Sequence, residues 1–243
     1  MEEQGPMTAQ AGGPPPPAPT PGLIKRLYRV ERAAWRGHYS RYFKYAARAL
    51  GLGFVAGFIF FTLWPAQEKK ALEFVVKALE DIRLEGSPLL LALTLFYHNA
   101  RASIVAIAAG AVPFFFLPIL DPFINGGVLG LLASVSKHQG LDVPGLFLTQ
   151  VLPHGVFELT AVLYATSLGM YLSAELGKRA VAAWKNRTGA RTQGTYPPEA
   201  PGTGAAAGSD SLVRNVVRSF ILVVLPLLLI AAAIEAFITP HLR

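Results

Sequence analysis

His154 and Glu158 stand four residues apart in "LPHGVFELTAV", within a stretch that otherwise reads as hydrocarbon. On a helix that spacing places both side chains on one face. An imidazole and a carboxylate so placed could pass a proton along a path, or bind one divalent ion with help from other helices. His98 or Asn99, in "YHNAR", could complete such a set and leave a position open for hydrolysis. Neither HExxH nor GxSxG occurs in the chain. The 243 residues also include no cysteine, which removes thiolate ligands, Cys nucleophiles and disulfides. The plainer role for the pair is cross-helix hydrogen bonding, the common use of polar side chains buried between spans. Three function classes therefore stand: a scaffold held together by polar contacts, a small transporter or channel working through His154 and Glu158, and an intramembrane metal-dependent hydrolase. The scaffold is favoured, with no catalytic residue and no cofactor assigned. His154, Glu158 and His98 are the candidate ligands should a divalent metal bind.

The surroundings of these residues decide what they can meet. Ala161, Ala165 and Gly169 continue the face that carries His154 and Glu158, and small residues allow helices to approach closely in lipid. Asn99, Ala102, Ala106, Ala109 and Pro113 form a similar stripe headed by an amide, and Gly126 and Gly130 form a small-xxx-small pair just after Asn125. His98, Asn99, Arg101, Asn125, His154 and Glu158 are accordingly expected to converge in one polar core, with Arg101 a counter-ion for a glutamate. Glu235 sits in the apolar run "AAAIEAFITP", near the end of the last span.

The elements that must position them are membrane helices. The chain is 52% hydrophobic and only 15% charged, against about a quarter charged in soluble domains. The expected fold is all-α, a multi-pass bundle of about five spans with a re-entrant or amphipathic half-helix. Residues 1–21 form a Pro/Gly-rich tail that cannot bury a core. Residues 22–45 form a basic helix interleaved with aromatics, suited to a cytoplasmic interface. The bundle fills 46–243, with a flexible linker at 188–209. Spans are expected at about 46–64, 102–120, 122–136, 146–172 and 216–238. Residues 66–85 carry apolar positions at helical spacing, as in an amphipathic surface helix. "PLLLALTLFY" is too short to cross about 30 Å of hydrocarbon and is expected to end as a half-helix at "HNAR".

The formal charge of +7 is clustered: eight Lys/Arg fall between Lys25 and Arg48, and seven between Lys178 and Arg218. Basic clusters beside apolar spans mark the cytoplasmic side of a cell membrane. That places the N-terminus inside and the C-terminus outside, with the first span acting as an uncleaved signal-anchor. The bilayer is the first expected partner; no nucleic-acid motif accompanies the charge. A second copy of the chain stays open as another partner.

The order "YHNARASIVAIAAG", "FINGGVLG", "LPHGVFELTAV", "AAAIEAFITP" resembles the stage II sporulation protein M family over roughly residues 40 to 243. The matching positions are Asn99, Asn125, Gly126, Gly130, Pro153, His154, Gly155, Glu158, Glu235 and Pro240; His98 stands where members usually carry a second Asn. The resemblance implies an integral membrane protein that acts as a scaffold for cell-wall-remodelling enzymes. Many relatives occur in organisms that form no spores, so sporulation is not implied.

Overall fold

The computed structural model describes residues 22–80, 87–187 and 204–242. The tail expected at 1–21 lies outside them, as does the expected linker up to residue 203.

Every element among the described residues is helical. Helix α1 (Leu23–Ala34) runs through a π turn at Trp35–Tyr39 into α2 (Ser40–Leu63), and α3 (Pro65–Glu80) follows at once. Next come α4 (Pro88–Ala109), α5 (Leu120–His138), the short α6 (Val143–Leu146) and α7 (Leu152–Arg187). The last helices are α8 (Gly204–Ser219) and α9 (Leu225–Phe237), joined by a π turn at Phe220–Val224. A further π turn, Phe147–Val151, joins α6 to α7. These last two π turns each stand just ahead of a proline, Pro226 and Pro153. A proline has no N–H for the carbonyl four residues back, and a wider turn accommodates that gap without ending the helix.

Five of the continuous helical runs are long and apolar enough to cross a membrane: Ile24–Leu63, Pro88–Ala109, Leu117–His138, Val143–Arg187 and Ser211–His241. Their outer faces carry Leu52, Val55, Ile59, Ile104, Val105, Ile221, Leu229 and Ile230, all exposed. A water-soluble bundle would turn such a set inward, whereas lipid solvates it. The chain is a multi-pass membrane protein. The 40-residue first run, at about 1.5 Å per residue, is twice the hydrocarbon thickness, so its basic half projects beyond the bilayer.

The second span differs from the sequence expectation. "PLLLALTLFY" does not stop at "HNAR" as a re-entrant piece; both belong to the single 22-residue helix α4, started by Ser87, whose hydroxyl accepts from Leu90 N–H, and by Pro88 at its first position. The helix passes through its polar residues because Asn99 finds a partner on another span, so no interface is needed there. It ends at Ala109, far short of 120. The amphipathic helix expected at 66–85 is α3 as far as Glu80, at the opposite end of α2 from the basic cluster, and residues 81–85 lie outside the described ones.

Residues 110–116 then form an irregular connection in which Phe114 (φ 73°) and Phe116 (φ 47°) are left-handed. Such backbone costs a bulky residue on the order of 1–3 kcal/mol and persists only where surroundings enforce it. Here Pro118 is buried against Gly169, and Phe114 packs on Gly177.

Two close seams set the bundle. Along α2 and α5, Gly53 meets the Phe123 carbonyl, Gly57 meets Gly127, Gly130 meets Phe54 and Phe58, and Thr62 meets Ser134. Both numbers rise together, so these helices are parallel. Along α4 and α7, Asn99 pairs with Glu158, and Ala106 and Gly110 lie against Gly169, again in parallel. Helix α9 returns antiparallel to α7.

Candidate functional site

The Ala161, Ala165 and Gly169 stripe is fully buried, so α7 turns its small face, with His154 and Glu158 at the head of it, into the bundle. His154 Nδ1 lies 2.8 Å from Glu235 Oε2 on α9. One turn along, the Asn99 side chain of α4 comes within hydrogen-bonding reach of the Glu158 carboxyl. His154 and Glu235 both lie within electrostatic reach of Glu158. Two carboxyls, one imidazole and one amide therefore bring together three spans, α4, α7 and α9. Pro153, half-buried, and Gly155, buried, shape the entry to α7, and a Cβ at Gly155 would make only ordinary contact with Val151 at 3.6 Å. Pro240 belongs to a 3-10 turn, Thr239–Leu242, that follows α9 and lies beside Phe147–Val151.

The other expected core residues are elsewhere. His98, about 100° around α4 from Asn99, lines a groove of about 450 Å³ between α4 and α5 together with Arg101 and Asp121. Asn125 belongs to that side too: its amide donates to the Asp121 carbonyl at 3.0 Å and to Oδ1 at 3.2 Å. The six residues expected in one core thus fall into two groups, because a single helical step separates His98 from Asn99. Arg101 faces the Asp121 groove; neither glutamate of the first cluster lines it. Among the described residues no three His, Asp or Glu side chains lie close enough to share one metal ion, and His98 lines the α4–α5 groove, apart from His154 and Glu158. Gly126 and Gly130 line the α2–α5 seam, where a Cβ would meet α2 backbone.

Two polar clusters were not found by sequence reasoning. At the basic end, Tyr164 Oη donates to Glu31 Oε1 at 2.7 Å, and Arg218 Nε reaches Oε2 at 3.4 Å while its guanidinium also donates to Asn215 at 3.0 Å. Trp35 stacks on Tyr164 with ring centroids 5.4 Å apart, and Ser219 Oγ donates to Tyr39 Oη at 3.3 Å. At the other end, Glu68 of α3 accepts from Ser134 Oγ and lies 3.0 Å from His138 Nδ1, with Thr62 Oγ1 3.2 Å from Ser134. One signal was available for the first cluster: Glu31 is the lone acid among the eight cations from Lys25 to Arg48. The second carried none, since Glu68 sits among other charges.

Chemically, the His154 cluster can hold helices or shuttle a proton, while the clusters at the two ends fix α1 and α3 to the spans. A family model described as Stage II sporulation protein M matches residues 44–240. No curated protein and no solved structure is found to match the chain.

Proposed function

The chain belongs to the stage II sporulation protein M family, and from that premise we propose that it is a scaffold of the cell membrane. It works by holding protein partners, cell-wall-remodelling enzymes among them, and not by catalysis. The observation that carries this reading is the pairing of the polar side chains across spans: His154 with Glu235, and Asn99 with Glu158. Groups engaged with one another on three helices serve as fasteners. Both basic clusters face the cytoplasm in this reading, leaving α3 and the end of α9 outside, where cell-wall enzymes work. A second reading, a small transporter, draws on the groove that presents His98, Arg101 and Asp121 between two spans.

Crosslinking in the native membrane from a photoreactive residue at exposed Phe74 of α3, followed by identification of the product, tests the first reading. A peptidoglycan-active enzyme in the product supports it. Proton or ion flux through reconstituted vesicles, lost in Glu158→Gln, would overturn it; flux lost in Arg101→Gln instead would favour the groove.

A further inference from the structure

Where α7 leaves the bundle, its face turns from apolar to basic within a few residues. Beyond Leu176 it carries Lys178, Arg179, Lys185 and Arg187, and Glu175 is the one acid on α7 past Glu158. Lys178, Val181, Ala182 and Lys185 recur at helical spacing and line a groove of about 530 Å³. The opposite wall is the 110–116 connection, which presents Phe114 and Phe116 through left-handed backbone. The Phe114 ring lies against Gly177, and Phe115 beyond it is 73% exposed. Trp184, 63% exposed, sits on the same projecting segment. Aromatic rings together with cations at the end of a span mark the level of lipid headgroups.

We propose that this groove binds one anionic phospholipid, an acyl chain lying along Phe114, Phe116 and Val181 and the phosphate meeting Lys178 and Lys185. Charge complementarity selects the occupant: one wall is apolar and the other sets two lysines among small apolar residues, matching the two ends of an anionic lipid at the depth where such a lipid sits. Lys178 also pairs with Glu175 at 2.6 Å, so it contributes less than a free cation. The inference is independent of the scaffold reading.

Native mass spectrometry of the detergent-purified chain, offered phosphatidylglycerol or phosphatidylcholine with identical acyl chains, tests it. Retention of one phosphatidylglycerol is expected, favoured about ten-fold, below the roughly 30-fold of two free surface cations. Lys178→Gln with Lys185→Gln should abolish the preference, and the Arg pair should keep it. Both side chains are exposed, and equal detergent melting curves check that the variants fold. Equal retention of both lipids by the wild-type chain overturns the proposal whatever the variants do. Displacement of the lipid by polyglutamate also overturns it, in favour of an acidic protein partner.

Discussion

Glu158 and His154 each hold a neighbour on a different helix, so their contributions can be separated residue by residue. Hydrogen bonds across spans average about 0.6 kcal/mol and reach about 1.7, because an unfolded chain in lipid also finds partners. Glu158→Ala and Asn99→Ala are each expected to lower unfolding stability in detergent by that order. Their double variant should cost less than the sum, since both remove one bond. A strictly additive cycle would place the two side chains apart. Tyr164→Phe makes a parallel case, removing the donor to buried Glu31, while Tyr28→Phe, at a phenol 68% exposed, should leave the melting temperature unchanged. The sequence could mark Asn99, His154 and Glu158 as facing protein. It could not mark Tyr164, an aromatic residue unremarkable in a span until α1 brings Glu31 to its hydroxyl.

Helix against helix, the α2–α5 seam depends on glycine where backbones nearly touch. A Cβ on Gly57 would lie 2.6 Å from the Gly127 carbonyl, and one on Gly126 would lie 2.8 Å from the Phe54 nitrogen. Backbone cannot move aside as a flexible side chain can, so Gly57→Leu or Gly126→Leu should part the helices and cost more than about 3 kcal/mol, beyond ordinary overpacking. Gly51, on the same helix with nothing within 4 Å, is the control: Gly51→Ala should be neutral or stabilise by under about 1 kcal/mol. Thermal unfolding in detergent separates the pair, and a gain at Gly57 or Gly126 like that at Gly51 would argue that helix propensity, not the seam, decides. The sequence carried the Gly126/Gly130 spacing, but gave no partner for it. It also divided α4, since polar residues in an apolar run read equally as an interface or a buried contact.

Taken whole, the molecule has one basic end and one end where α3 is fastened by Glu68 to Ser134 and His138. The proposed orientation puts the basic end in the cytoplasm. A chain without cysteine allows a direct check. In intact cells, Gln139→Cys should react with a membrane-impermeant thiol reagent and Asn186→Cys should not; both positions are exposed. The reverse pattern would invert the topology and remove α3 from the cell-wall side.

Composition and apolar run length determined a five-span helical membrane protein. These quantities measure how each segment partitions between water and lipid, which is a local property. Motif order carried the family for the same reason, as it needs no knowledge of contacts. Which polar residues meet was decided only by the tertiary structure. His98 and Asn99 are neighbours in the chain, yet one helical step turns Asn99 to Glu158 and His98 to the Asp121 groove. Glu31 and Tyr164 lie 133 positions apart and share a hydrogen bond. Spacing fixes the face of a helix on which a side chain stands, but only packing supplies the helix opposite.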